Sequence, residues 1–222
     1  MAVMANMIEL RLKEEPRKWA DIKDKKHLQG FVMSLFPPEL RGYYHDGGRK
    51  LGRRIYREYM FSEPILRDDG FSLYLRVRDD DGPEVVDFAR KKGVSAALVC
   101  KKINTEEILY STLSPIFVRR TLPDGRKVYP LPGSGVWLHL VRKNLARKCR
   151  VFGVEGRKNA FIKVVRYWKS EHRYDNWVYP VWHGIFEVRA PLEVHRVIMQ
   201  AGLGSRNAQG CGMVWPVGER KR

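Results

Sequence analysis

"WHGIFEVRAPLEVHRVIMQAGLGSRNAQGCGMV" (residues 182–214) places three elements and a loop in a fixed order. Its apolar start, continued from Val178, reads as a strand. Pro191 then opens a short helix over "PLEVHRVIMQ", and "GCGMVWPV" reads as a closing strand. Between helix and strand, Gly202, Gly204, Gly210 and Gly212 put four glycines into eleven positions. Glycine lacks a Cβ, so the backbone can take positive φ and approach another group closely, at a cost in order. A plain turn accounts for any single glycine, but less easily for four in this spacing. A dinucleotide fingerprint needs a strand before the glycines and a helix after them, the reverse of what is found. A Walker loop needs Gly-Lys followed by Ser or Thr, which the stretch lacks.

The same kinds of element precede this stretch. "ILYSTLSPIFVRR" (108–120) reads as a strand interrupted at Pro115, and "FIKVVRYWK" as another. A helix over about 136–152 sets Val141, Leu145, Cys149 and Phe152 on one face. In the first half, Ile8, Leu10 and Leu12 alternate with Glu9, Arg11 and Lys13 as a strand. Leu28, Phe31, Val32, Leu35 and Phe36 recur with helical period until Pro37-Pro38 ends the pattern. "RRIYREYMF" (53–61) and "FSLYLRVR" (71–78) read as strands separated by the Asp68-Asp69-Gly70 turn. "PEVVDFARKK" reads as a helix and "GVSAALVC" as a strand. The order βαββαβ therefore occurs twice, which predicts an α+β protein of two tandem ferredoxin-like domains, residues 1–105 and 106–222. No sequence repeat accompanies the repeated order.

With 222 residues, 44% of them hydrophobic, the chain can bury a sizeable core. Its net charge of +17 is lopsided: residues 1–114 carry 21 basic and 18 acidic side chains, residues 115–222 carry 21 and 7. Such a field favours a polyanion, RNA or DNA, because each neutralised phosphate releases counterions. Cys100, Cys149 and Cys211 suggest no disulfide framework. No apolar run approaches the ~18 residues of a membrane span, and the start has no signal-peptide layout, so a soluble cytoplasmic protein is expected. His27, His139, His172, His183 and His195 lack metal-ligand spacing, and neither a metal nor a cofactor is expected. The carboxylates of "RDDGFS" and "RDDDGPE" read as solvated turn caps. Arg142, Lys143, Arg147, Lys148 and Arg150, with Arg157 and Lys158, form the best candidate surface for phosphates. Tyr167, Trp168, Tyr174 and Trp177 lie among basic residues and could stack on bases, although aromatics at strand spacing are more often core.

"GLGSRNAQGCGMV" resembles the C-terminal glycine-rich signature of the repeat-associated RNA-binding superfamily. More narrowly, the chain resembles the CRISPR-associated repeat-processing endoribonucleases, the Cas6 family. "REYMFSEPI" (57–65) and "STLSPIFVRR" (111–120) resemble two further family segments in the expected order. The resemblance implies metal-independent cleavage of CRISPR repeat RNA, in which the ribose 2′-hydroxyl attacks the adjacent phosphorus and leaves a 5′-hydroxyl and a cyclic phosphate. Such chemistry needs a base, an acid and cations for the phosphorane charge. "RGYYHDGGRKLGRR" (41–54) offers these. The resemblance assigns His45, in a loop with Gly42, Gly47 and Gly48, as general base or acid, and Lys50 as a charge stabiliser. The family's first-helix tyrosine is replaced here by Gly30-Phe31, which leaves Tyr43 or Tyr44 as substitutes. Arg53, Arg54, Arg206 and the four glycines complete the expected RNA contacts. The expected partners are CRISPR repeat RNA and a CRISPR effector complex, with the chain a monomer or homodimer. Two alternatives stand beside this reading: a non-catalytic RNA-binding subunit of an effector complex, and an unrelated basic RNA-binding or ribosomal protein.

Overall fold

The computed structural model describes residues 2–12, 25–52, 54–154 and 160–219. In the first half, β1 (Val3–Leu12) leads to helices α1 (Lys25–Ser34) and α2 (Pro38–Asp46). A hairpin of β2 (Arg49–Leu51) and β3 (Arg54–Tyr56) follows, then β4 (Met60–Phe61), β5 (Ile65–Arg67), β6 (Gly70–Arg76), α3 (Gly82–Lys91) and β7 (Ser95–Ile103). The second half comprises β8 (Glu107–Thr112), a small hairpin of β9 (Arg120–Thr121) and β10 (Lys127–Val128), α4 (Gly135–Val151), β11 (Phe161–Tyr174), β12 (Trp177–Arg189), α5 (Leu192–Ala201) and β13 (Val214–Glu219).

Each half builds an antiparallel sheet in which the first and third main strands lie side by side at the centre. The orders are β4-β6-β1-β7, with β5 against β6, and β11-β12-β8-β13. Registers such as Ile8↔Leu75 and Ile8↔Leu98, or Phe186↔Tyr110 and Val188↔Ile108, fix which residues share a face. This is the tandem ferredoxin-like arrangement. In the first half Ile8, Leu10, Leu73 and Leu75 pack under Leu28, Val32, Val85 and Ala89. In the second, Ile108, Tyr110, Phe186 and Val188 pack under Trp137, Val141, Leu145 and Val194. A separate cluster of Met7, Met60, Tyr74 and Met213 joins the halves.

Two local expectations change. Pro37-Pro38 does end the first helical pattern, but Pro38 also occupies the first position of α2, where its missing N–H has no intrahelical partner to lose. His45 therefore stands in the last turn of a helix, not in a loop. Residues 53–61 are not one strand either. Gly52, at φ 58°, turns β2 into β3, and the pairing resumes only at Met60.

The glycine-rich segment is the joint between the halves. Gly202, Gly204, Gly210 and Gly212 all have φ between 69° and 77° and all are buried. A Cβ would lie 2.6 Å from the Phe61 ring at Gly210, 2.7 Å from the Phe117 carbonyl oxygen at Gly204, and 2.0 Å from the Leu203 carbonyl oxygen at Gly212. The segment is tied in by hydrogen bonds from Gly212 N to Pro115 O (2.7 Å), Ser205 N to Phe117 O (3.0 Å) and the Tyr59 hydroxyl to Ala208 O (3.1 Å). A second tie is ionic. Glu63 accepts from Lys25 Nζ at 2.8 Å and from His183 Nε2 at 3.3 Å, joining α1 to β12. Burial alone would raise the Glu63 pKa, yet the hydrogen bond from His183 and the Lys25 charge hold it at about 2.

Gly204→Val should lower the stability to urea unfolding by more than about 3 kcal/mol, since it combines a strained φ with a backbone clash. Wild-type stability would show that the loop can move away from Phe117. For Glu63, the depressed pKa contributes stability that is present above the ordinary carboxylate range and is lost as pH falls towards 2. Unfolding free energies measured from pH 6 to pH 2 should therefore fall less steeply for Glu63→Gln, by on the order of 2 kcal/mol over that window. Parallel curves for the two proteins would remove Glu63 from the acid response.

Candidate nucleic-acid interface

A cleft of about 480 Å³ opens between the β2–β3 hairpin and the glycine-rich segment. It is lined by Ile55, Tyr56 and Arg57 on one side, by Asn144 and Lys148 of α4, and by Ala201 and Ser205–Gln209 on the other. Helical periodicity explains α4's contribution. Val141, Leu145 and Cys149 bury one stripe, and Lys148, three residues after Leu145, falls on that same stripe. Its side chain is 2% exposed.

Lys148 is thus not available as a phosphate contact, contrary to the sequence expectation. Its Nζ meets the carbonyl oxygens of Ala201 (2.6 Å), Gly202 (2.8 Å) and Gly204 (2.9 Å), and Asn207 Oδ1 (2.8 Å). Burial pulls its pKa down to about 7, while hydrogen bonds to the four surrounding oxygens favour the ammonium form. The glycines expected to face RNA are likewise buried, so their role is close packing. The residues the loop offers to the cleft are Ser205 to Gln209. Among them Arg206, itself at φ 61°, lays its guanidinium over Tyr179 (4.6 Å) and Phe117 (4.9 Å) and donates to Gln209 Oε1 at 2.9 Å. The aromatic faces hold this cation at the cleft wall.

The expected catalytic residues sit apart from that lining. His45 is exposed on α2, and its Nδ1 lies 2.7 Å from Asp46 Oδ1. Lys50 is exposed on β2. Neither lines the cleft. Tyr43 donates to the Glu58 carboxylate and lies under the Arg78 guanidinium, 4.5 Å from its ring centre. Burial, then the bond to Glu58, raises its pKa, so its phenol is held protonated. Tyr44 is wholly buried and donates to Asp81, which excludes it from contact with RNA and shows that Asp81 is a buried anchor, not a solvated cap. Glu58 also accepts from Arg49 Nε at 2.8 Å. No sequence signal marked this Tyr43–Glu58–Arg49–Arg78 group, because Glu58 becomes buried only when the hairpin folds over α2.

Arg142, Lys143 and Arg150 are exposed on α4, with Arg147 half-buried. Arg53, Arg157 and Lys158 lie outside the described residues, as does the side chain of Arg54. On the β11–β12 hairpin, Tyr167, Trp168 and Trp177 are 43%, 48% and 62% exposed, so these strand aromatics are not core. Tyr174 is half-buried and donates to Gln29 Oε1 at 2.5 Å. His172 and His195 are buried and bonded to the Gln209 and Glu106 carbonyl oxygens. Among the described residues no group of His, Cys, Asp and Glu is placed to hold a metal ion, and no helix is long and apolar enough to cross a membrane.

Among curated protein sequences no match to the chain is found. Solved structures share its fold. A Cas6-related protein from Pyrococcus furiosus is similar with a TM-score of 0.72 at 17% identity, over 98% of this chain and 100% of that one. A RAMP protein binding different RNA substrates follows with a TM-score of 0.70 at 19% identity, over 97% and 100%. Thermus thermophilus Cse3, bound to an RNA representing a pre-cleavage complex, is similar with a TM-score of 0.54 at 15% identity, over 97% and 99%. The family model "CRISPR associated protein Cas6, C-terminal" matches residues 98–215, more than half of the 222, and spans β8, α4, the β11–β12 hairpin, α5 and the buried glycine joint. With that match over the half that carries the glycine signature, the chain belongs to the Cas6 family of CRISPR-associated proteins.

Proposed function

We propose that the chain binds CRISPR precursor RNA and cuts it within the repeats, by attack of a ribose 2′-hydroxyl on the adjacent phosphorus, to release guide RNAs. The RNA carried by the Thermus Cse3 relative supports the ligand class. The observation that carries the catalytic part is His45. Its imidazole is 60% exposed at the end of α2, and the Asp46 carboxylate at 2.7 Å engages Nδ1, which leaves Nε2 directed away from that partner. A histidine oriented by a carboxylate is a competent proton-transfer group. Lys50, on the strand that follows, supplies a cation to the phosphorane. Tyr43, committed to Glu58, acts as a support for the hairpin and not as a base. The exposed cations of α4 hold the RNA backbone.

A second reading has an observation in its favour. Because His45 and Lys50 lie outside the lining of the cleft, the chain could bind RNA as a non-catalytic subunit of an effector complex. Incubating labelled repeat RNA with the protein in EDTA separates the two. Cleavage at one position supports the enzyme, and binding without cleavage supports the subunit.

For the enzyme, His45→Ala should slow single-turnover cleavage by roughly 10²- to 10⁴-fold with binding almost unchanged, since proton transfer acts on the transition state. A 2′-deoxy nucleotide at the cut site should abolish cleavage by the wild type. Undiminished cleavage by His45→Ala would remove the histidine from the mechanism, and cleavage of the deoxy substrate would overturn the mechanism itself. For binding, reversing the charges of Lys143 and Arg147 together should weaken affinity and flatten the slope of log K on log salt by roughly 0.7 to 0.9 for each phosphate no longer neutralised. An unchanged slope would place the RNA path elsewhere.

A further inference from the structure

Trp168 lies on β11, the strand at one end of the order β11-β12-β8-β13, so no strand among the described residues flanks its outer side. The register sets Trp168 opposite His183, and the indole stacks on that imidazole, with ring centres 5.7 Å apart and planes 8° from parallel. The imidazole is a fixed backing. Its Nε2 lies 3.3 Å from Glu63 Oε2, and Lys25 Nζ holds the same carboxylate at 2.8 Å. One face of the indole is thus turned to the protein, yet the residue is 48% exposed, so the open area belongs to the opposite face and the outer edge. Neither the packing of the two halves nor the proton transfer assigned to His45 uses that face.

The neighbouring aromatics are placed differently. Tyr167 points to the other side of the sheet and meets Trp182 edge to face, at 83°, and Trp177 carries the Lys127 ammonium 4.9 Å over its ring. Trp168 has Arg166 two positions before it, exposed on the same face of the strand and about 7 Å away along it. A flat apolar face beside a solvated guanidinium suits an unpaired nucleotide, its base on the ring and its phosphate against the cation. An apolar side chain of a protein partner could also cover the ring. The surrounding field, 21 basic against 7 acidic residues over positions 115–222, favours the polyanion.

From this we infer that the open face of Trp168 is a stacking platform for one unpaired base of a bound single-stranded RNA, with Arg166 neutralising an adjacent phosphate. The base, the indole and the His183 imidazole then form one stack anchored to the first half through Glu63. Every base has a π-face, so the platform holds the strand without reading its sequence. The inference rests on the RNA-binding reading above but not on cleavage, and it adds a contact on a different element from the cations of α4.

The test uses oligouridine of about 12 nucleotides and an oligomer of the same length that lacks the bases, with Kd measured by fluorescence anisotropy over a series of salt concentrations. The wild type should bind oligouridine at least about tenfold more tightly than the abasic oligomer. Trp168→Ala, checked for an unchanged melting temperature, should weaken oligouridine binding by roughly 5- to 100-fold with the slope of log K on log salt unchanged. Its affinity for the abasic oligomer should stay at the wild-type value. Trp168→Phe should keep most of the affinity, and Arg166→Ala should lower the slope by roughly 0.7. Equal binding of the two oligomers by the wild type would overturn the platform without any variant. So would wild-type affinity for oligouridine in folded Trp168→Ala, the result expected of a ring that docks a protein. An equal loss on both oligomers would overturn it too, because a ring that only braces the fold gives that result. Absence of cleavage with the base-dependent binding intact would sink only the processing reading. Failure of the wild type to bind any RNA would sink both.

Discussion

The ammonium of Lys148 sits where the end of α5 releases carbonyl oxygens that the helix can no longer pair. Ala201, Gly202 and Gly204 direct their oxygens at it, and Asn207 adds its side-chain oxygen. A helix C-terminus carries partial negative charge and unpaired carbonyls, so a buried cation there answers both needs at once. Three N–H donors serve four acceptors, and the side chain is almost fully removed from water. This contact fixes α4 to the glycine segment. Asn207, held by the same lysine, donates its amide to the Leu203 and Cys211 carbonyls and so closes the segment on itself.

The arrangement of the two halves follows from that joint. With the segment locked, Gly210 lies against Phe61, Gly202 against Met60, and Ala208 accepts from Tyr59, so the second half presses on β4 of the first. Neither glycine approach leaves room for a Cβ. Gly202 and Gly210 therefore serve the interface between halves, and the half-buried Ser205 to Gln209 become one wall of the cleft. The β2–β3 hairpin supplies the other wall. It is held over α2 by Glu58, which joins Tyr43 to Arg49. Two buried polar groups, Glu58 in one half and Lys148 in the other, thus hold the two walls of the opening.

Charge is divided along the same lines. Cations that the fold consumes, such as Lys148 and Lys25, are paired with oxygens inside, whereas Arg142, Lys143 and Arg150 stay in water on α4. The consumed cations make the scaffold, and the solvated ones give the field that attracts a polyanion. The exposed aromatics of the β11–β12 hairpin add flat surfaces beside that field.

Local pattern and composition settled the repeated βαββαβ order, the basic second half and the glycine signature, but not α2 or the break between β3 and β4. These depend on near neighbours: the period of apolar residues, Pro191 at a helix start, and a count of charges. Even the burial of Lys148 was legible in part, because residue 148 falls on the apolar stripe of Val141 and Leu145, although its charge pointed outward in a reading by residue type. Tertiary structure alone decided the rest. Whether a glycine at positive φ faces RNA or another strand depends on what lies roughly 2 to 3 Å from it, and Phe61 and Phe117 are far from the loop in sequence. The same holds for Tyr44 and Asp81, which bury each other across 37 positions, and for His45, whose helix begins at a proline that also ends the one before. Burial is a property of packed groups distant in the chain, and a one-dimensional pattern carries no record of it.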